Sequence, residues 1–221
     1  TVNSGGARVI VPAGAVPSDT VIAITPTVLS SFLPAPTGVE PLGEIVLDLA
    51  GQTLAATAEL SLALPGLTVA PTDTLLTARI ERLNGVPFLV VVSNAALQAG
   101  RVTTVASPGL AGVRTGGRYV FYRVSLPIGW AQTTVSTASG TTPGAIVDGT
   151  GLPFAGVTNS TGQSLVPAAE GARTLAARMP ATALTTINDN SRTPWGTISS
   201  IATWPFPAQI AIPNTVPSRT A

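Results

Sequence analysis

Short apolar runs separated by turn residues dominate the first part of the chain. In Ala58–Leu64 the apolar residues alternate with Glu59 and Ser61, as in a strand that is buried on one face. The stretch Leu83-Asn84-Gly85-Val86 is typical of a tight hairpin, because Asn-Gly tolerates the positive φ angles of a type I′ turn. The pattern predicts strands at Ala7–Val11, Thr20–Thr25, Glu44–Leu49, Ala58–Leu64, Leu75–Leu83, Phe88–Ser93, Arg101–Ala106 and Arg118–Val124.

No segment has the periodicity of an amphipathic helix. Asn94–Gly100 permits a single helical turn at most, and the helix formers of Ala168–Met179 are interrupted by Gly171. Short strands at regular spacing, with turns between them, are typical of an antiparallel β-sandwich. We therefore expect an all-β fold.

The composition excludes most catalytic chemistry. Among 221 residues there is no histidine, cysteine or lysine, and all 11 basic residues are arginine. These absences exclude Ser-His-Asp triads, thiol nucleophiles, zinc-thiolate clusters, disulfides and lysine Schiff bases. With 10 acidic residues the net charge is only +1, which argues against nucleic-acid binding. We expect no cofactor and no bound metal.

Two polar motifs have alternative interpretations. Asp148–Gly151 resembles the Asp-Thr-Gly loop of aspartic proteases, but its spacing differs by one residue and there is no second copy, so a turn is preferred. Asn188–Ser191 clusters oxygen atoms of the kind that calcium binds. It lacks the glycine and glutamate of an EF-hand, so a loop between strands is preferred.

Acidic pairs provide the remaining enzymatic hypothesis. Glu44 with Asp48, or Glu59 with Glu81, has the side chains of a glycosidase acid pair. Ten acids spread over a sandwich of this size would place some pair at a suitable separation by chance. The sequence therefore predicts a protein that is not an enzyme.

Aromatic residues allow two interpretations. Trp130, Trp195 and Trp204 have the chemistry of a sugar-stacking platform, but burial in a core or an interface is preferred for side chains of this size. Asn159-Ser160-Thr161 fits a glycosylation sequon, although a turn is again the preferred interpretation.

The N-terminal half resembles a known family. Gly5–Pro17, which reads GGARVIVPAGAVP, and the strand that follows at Thr20–Ile24 resemble the opening of the ZU-type β-sandwich of ankyrins and netrin receptors. Bacterial surface proteins carry similar versions, and Leu42–Leu49 with Ala55–Pro65 resembles the family's continuation. The resemblance implies a sandwich domain over residues 1–126. Some members cleave themselves at His-Phe-Ser, but Tyr119–Ser125 lacks that sequence, so autoproteolysis is not expected here.

A second resemblance follows after Pro127. Trp130–Val135, Thr142–Val147, Ala155–Gln163 and Glu170–Ala177 resemble the carboxypeptidase-regulatory-like, transthyretin-like β-sandwich. The resemblance implies a second domain over residues 127–182. Residues 183–221 match neither family and form an extended tail rich in proline and aromatic residues. The expected fold is thus two tandem antiparallel β-sandwiches, Ig-like and transthyretin-like, with a tail that completes a sheet in cis or in a neighbouring subunit.

The preferred function is structural. A low charge suits permanent interfaces, and open sheet edges can be completed by a strand from another chain. The tail and Thr1–Val11 both have the extended apolar character of a donated strand. We therefore expect a self-associating cell-surface or pilus-like filament subunit whose main partner is itself. The candidate interface residues are Val9, Val11, Trp195, Trp204, Phe206, Ile210 and Ile212.

An adhesin or carbohydrate-binding module of a larger secreted protein is the alternative function. It predicts a monomer with a glycan or a surface protein as its ligand. Both functions place the chain outside a bacterial cell, since its low charge, lack of lysine and richness in threonine, serine, alanine, glycine and proline favour an exported protein. The sequence begins at Thr1 with no signal sequence, so we expect either a trimmed chain or a removed export signal. No run reaches the ~20 apolar residues of a membrane-spanning helix.

Overall fold

β-Strands make up the regular structure of the chain. The computed structural model describes residues 1–17, 19–31, 33, 36–137, 140–149, 151–169 and 175–178, and it contains no helix in these ranges. The predicted all-β class is confirmed. The strands are β1 (Val2–Ser4), β2 (Ala7–Ile10), β3 (Ala23–Thr27), β4 (Val39–Asp48), β5 (Thr53–Ala63), β6 (Thr74–Leu83), β7 (Val86–Gln98), β8 (Arg101–Val105), β9 (Val113–Thr115), β10 (Gly117–Val124), β11 (Ile128–Thr134), β12 (Ser136–Thr137), β13 (Gly140–Thr141), β14 (Ile146–Gly149), β15 (Phe154–Val157), β16 (Gln163–Ala169) and β17 (Leu175–Arg178).

One large sheet contains most of these strands. Its main path runs β1-β2-β5-β8-β7-β6-β10-β4-β3, with β9 beside β5. The two ends of this path approach each other, because β3 lies next to β1 and β2. At the Gly5 turn, where φ is +51°, a Cβ atom would lie 2.8 Å from Cγ of Pro26 in β3. The sheet therefore curls around an inner core, defined by Val9, Ile45, Leu47, Leu60, Leu62, Val90, Val92, Tyr119 and Phe121.

The central strand β10 is buried on both faces. Tyr119 and Phe121 point into the inner core, while Val120, Tyr122 and Val124 belong to a second cluster on the opposite face. This outer core also contains Val39, Leu76, Ala78, Leu89, Val91, Leu152, Phe154 and Ala169. Because successive side chains of a strand alternate between faces, a strand covered on both sides reads as a continuous apolar run.

Residues after 126 cover the outer face and also extend the sheet. Ile128 and Trp130 pack against the outer core. β15 pairs in parallel with β7 through Phe154 and Leu89, and β14 and β17 continue outward from β15 by antiparallel pairing. Strand pairing thus crosses the predicted boundary between residues 126 and 127. A small third cluster, the C-terminal core, lies beyond it and consists of Val135, Ala145, Val147, Val166, Leu175 and Ala177.

A separate two-stranded sheet packs on this extension. β11 pairs with β16 from Ile128↔Ala169 to Thr134↔Gln163. At Gly156 in β15, a Cβ atom would lie 2.4 Å from the carbonyl oxygen of Leu165 in β16. The absence of a side chain at this position allows the close contact between the two layers.

Two turns have the predicted form. Asn84 and Gly85 both have positive φ angles, +52° and +81°, and join the cross-strand pair Leu83↔Val86. The side chain of Asn159 accepts hydrogen bonds from the backbone N–H groups of Thr161 at 2.9 Å and of Gln163 at 3.0 Å. The Asn159–Gly162 segment is therefore a turn, as expected from its sequence.

Other boundaries differ from the prediction. β7 continues through Asn94–Gln98, where a helical turn was allowed, because this segment pairs with β6 and β8. β3 begins three residues later than predicted, β4 begins at Val39, and β1, β9 and β16 were not predicted. No helix long and apolar enough to cross a bilayer occurs in the described ranges.

Candidate functional site

The N-terminal candidate interface residues are already engaged within the chain. Val9 is 0% exposed, pairs with Leu60 of β5 and belongs to the inner core. Val11 is half-buried against the same core. Thr1–Val11 therefore supplies two strands to its own sheet and is not a free donor strand in this structure. Trp195, Trp204, Phe206, Ile210 and Ile212 lie outside the described residues.

The last described strand borders an edge of the large sheet. β17 pairs with β14 from Gly149↔Leu175 to Ile146↔Arg178 and with no other described strand. Leu175 and Ala177 are buried in the C-terminal core, so this strand is anchored on one face. We call the outer side of Leu175–Ala177 the β17 edge. Backbone groups along an edge of this kind can hydrogen-bond to an added strand.

A cleft lies between the start of β7 and the β14–β15 hairpin, with β14 separating β15 from β17 in the sheet. It has a volume of about 220 Å³. Its lining is formed by Pro87, Phe88, Leu89, Asp148, Gly149, Leu152, Pro153, Phe154 and Ala155. Aromatic, proline and leucine side chains thus make most of its wall, and we call it the β7–β15 cleft.

The carboxylate of this cleft is paired with an arginine. Nη2 of Arg178 lies 3.0 Å from Oδ2 of Asp148, and the same guanidinium lies 5.4 Å from the centre of the Phe88 ring. The pair offsets the negative charge of Asp148, and the ring stacks under the cation. The predicted turn at Asp148 is instead the end of β14, where the residue forms an ion pair across to β17.

The acidic residues considered as glycosidase pairs also form ion pairs or hydrogen bonds within the chain. Glu59 pairs with Arg8 at 3.0 Å, and Glu81 pairs with Arg79. Asp48 accepts a hydrogen bond from the backbone N–H of Ala50 at 2.8 Å. In the part of the chain that the structure describes, no group of three or more Asp or Glu side chains could hold a metal ion. The Asn188–Ser191 loop lies outside that part.

Glu44 is the buried centre of a polar cluster that was not predicted from the sequence. Its side chain is 0% exposed, and its carboxylate accepts hydrogen bonds from Nε of Arg118 and, at 2.9 Å, from the backbone N–H of Ser30. The Ser30 hydroxyl also donates to the carboxylate at 2.9 Å and accepts from Arg118 at 3.0 Å. This cluster ties the segment after β3 to the outer face of β4 and β10.

Both tyrosines of the chain lie close together on β10. Burial raises the pKa of Tyr122 well above its ordinary value of 10.0, and the neighbouring Glu44 carboxylate raises it further. Burial also raises the pKa of Tyr119, although Arg79 and the hydrogen bond to Thr115 act in the opposite direction. Among the described residues, the Tyr122 hydroxyl has no hydrogen-bond partner. The folded chain therefore opposes ionisation of both side chains.

These shifts predict a loss of stability in alkali. Below pH ~10 both the folded and unfolded chains keep the phenolic protons. As the pH rises above that value, the unfolded chain alone releases them, so the free energy of unfolding falls. Urea unfolding at about pH 8 and about pH 11 measures the loss, and tyrosinate absorbance should rise only when the chain unfolds.

Tyr122→Phe separates this effect from other alkaline effects. It should reduce the loss at high pH and leave stability at neutral pH unchanged or slightly higher, because it removes a buried hydroxyl without a partner. Tyrosinate formation near pH ~10 in the folded wild-type chain would contradict the prediction.

Trp130 packs against the outer core, in agreement with the preferred interpretation that the tryptophans are buried. Trp195 and Trp204 belong to the residues that are not described. No protein-family model matches the chain, and no match was found among curated proteins or solved structures. The resemblances to ZU-type and transthyretin-like domains accordingly stay predictions.

Proposed function

We propose that this chain is a non-enzymatic extracellular structural protein, a self-associating cell-surface or filament subunit joined by strand donation. The observation that supports the proposal is the β17 edge. Leu175 and Ala177 hold the strand in place from one face, while its outer side pairs with no other described strand. An extended peptide added to such an edge gains main-chain hydrogen bonds along its length.

The donor is a segment of the tail of another copy. Ala208–Pro213 reads AQIAIP, in which Ile210 and Ile212 alternate with small or polar residues. A strand with this pattern presents one apolar face, as an added strand requires. A head-to-tail contact between one edge and one tail is heterologous, so repetition generates a filament unless it closes into a ring.

Charge and chemistry agree with a structural role. Charged residues make up 10% of the chain, against about 25% in an average soluble protein. Five acidic residues, Glu40, Glu44, Glu59, Glu81 and Asp148, form ion pairs with arginine. We also propose that the two halves of the chain, which share strand pairing, are a ZU-like and a transthyretin-like sandwich of a bacterial surface protein.

Deleting residues 204–221 tests strand donation. We expect the truncated chain to lose its large species in light scattering and its filaments in electron microscopy, because the donor strand is missing. Deleting residues 214–221 alone is the matched control and should leave assembly intact, since Ala208–Pro213 remains. Unchanged assembly after the longer deletion would show that the tail is not the donor.

A further inference from the structure

The β7–β15 cleft has the chemistry of a site for a proline-rich peptide. Of its apolar lining, Pro87, Phe88 and Pro153 are partly exposed, while Leu89, Leu152 and Phe154 are buried in the outer core. Aromatic side chains beside rigid prolines make flat apolar surfaces, on which the extended polyproline II conformation packs without internal hydrogen bonds of its own. The cleft volume of about 220 Å³ suits a few side chains rather than a whole strand.

We propose that this cleft binds the segment Trp204-Pro205-Phe206-Pro207 of the same chain. Prolines at alternate positions fix φ near −65°, so the segment is preorganised for extended binding. Trp204 and Phe206 supply two large apolar side chains that can pack against the partly exposed Pro87, Phe88 and Pro153. No other stretch of the chain combines two prolines and two aromatic residues within four positions.

The position of the chain at Arg178 favours binding within one molecule. Arg178, the last described residue, packs over Phe88 and pairs with Asp148, so the described chain ends against two residues of the cleft lining. From there to Trp204 are 26 residues, which span on average roughly 28 Å when flexible. A linker of that length gives an effective concentration on the order of millimolar, far above that of a second copy in dilute solution.

The lack of charge in the segment also suits the cleft. Residues 204–217 carry no charged side chain. The carboxylate that lines the cleft, Asp148, is already paired with Arg178, so an uncharged segment leaves no buried charge without a partner. Binding of the segment in the cleft does not require self-association, because a chain that never polymerises would still bind its own segment there. In an assembling chain, the bound segment would hold Ala208–Pro213 beside the cleft for donation.

Disulfide trapping tests the inference, because the natural chain has no cysteine. Val86 directly precedes Pro87 of the cleft lining and is 53% exposed, so Val86→Cys is combined with Ala208→Cys. The control combines Ala208→Cys with Val28→Cys, since Val28 is 87% exposed and follows β3, four strands from β7 along the sheet. At micromolar protein under mild oxidation, we expect the 86–208 disulfide to form within monomers at least about tenfold faster than the 28–208 disulfide.

Two further variants identify the contacts. Trp204→Ser with Phe206→Ser should reduce the 86–208 rate to that of the control without changing any residue of the described sheet. Phe88→Ala should also slow trapping, with thermal unfolding measured in parallel to show that the variant is folded.

The remaining outcomes each overturn the inference. Equal trapping rates at Val86 and Val28 would mean that the cleft does not bind the tail. Disulfide-linked dimers whose yield rises with protein concentration would mean that the occupant comes from a second copy. Light scattering on the same samples reports self-association separately, so failure of the cleft and failure of strand donation are distinguishable.

Discussion

Replacing Glu44 by alanine is expected to lower the free energy of unfolding by about 1–3 kcal/mol, the usual cost of leaving buried hydrogen-bond donors without their acceptor. The carboxylate is fully buried and serves three donors, namely the Arg118 guanidinium, the Ser30 hydroxyl and the Ser30 backbone N–H. Without it, the Ser30 N–H loses its partner, and the guanidinium loses its counter-charge. The segment after β3 would also lose its attachment to the sheet.

Glu40 provides a matched control on the same two strands. It pairs with Arg123 between β4 and β10, as Glu44 pairs with Arg118, but its side chain is 53% exposed. Glu40→Ala should therefore cost no more than about 1 kcal/mol, as is usual for surface ion pairs. Urea or guanidinium unfolding of both variants measures the difference. Similar, small losses in both would show that the buried cluster does not stabilise the fold.

The burial of Glu44 could not be predicted from the sequence, although the strand that contains it could. Glu44–Leu49 was predicted as a strand, and Ile45, Leu47 and Leu49 of this segment are buried in the inner core. Glu44 lies on the opposite face from Ile45, as alternation along a strand requires. Alternation cannot tell, however, that the opposite face is covered by another part of the chain. Only the long-range packing of residues such as Leu33 and Leu126 makes that face a second core.

Strand β10 was predictable, because its own residues show that it is a strand. Its run of aromatic and β-branched residues has no polar alternation between Tyr119 and Tyr122, and both faces are buried. Asn84-Gly85 was predictable because its turn geometry depends on two residues alone. Local signals of this kind need no knowledge of the rest of the fold.

The arrangement of the strands after residue 126 depends on long-range contacts, which cannot be predicted from neighbouring residues in the sequence. β15 is short, and its parallel pairing with β7 joins residues 65 positions apart in sequence, Leu89 and Phe154. The resemblance to a transthyretin-like domain predicted strands in this region but not their continuity with the first sheet. In Asn94–Gln98, residues with fair helix propensity form a strand because β6 and β8 flank them.

The connection between the two halves gives the second large prediction. Phe154 is 1% exposed, packs edge-to-face on Tyr122 with ring centres 5.1 Å apart, and lies in the strand that pairs with β7. Phe154→Ala should therefore cost about 3–5 kcal/mol, as expected for a buried phenylalanine. Because the ring belongs to the outer core that both halves share, the whole unfolding transition should shift without splitting.

Calorimetry of the wild type and of Phe154→Ala decides between one cooperative unit and two. A single transition that moves to lower temperature as a whole is the expected result, since the sheet and the outer core are continuous across residue 126. Two transitions, of which only one moves, would instead mean that residues 127–182 unfold independently of residues 1–126. Val86→Ala, at a site that is 53% exposed, is the control and should change stability by no more than about 0.5 kcal/mol. A Phe154→Ala loss as small as that of the control would show that the edge-to-face contact and the β7–β15 pairing contribute little to holding the halves together.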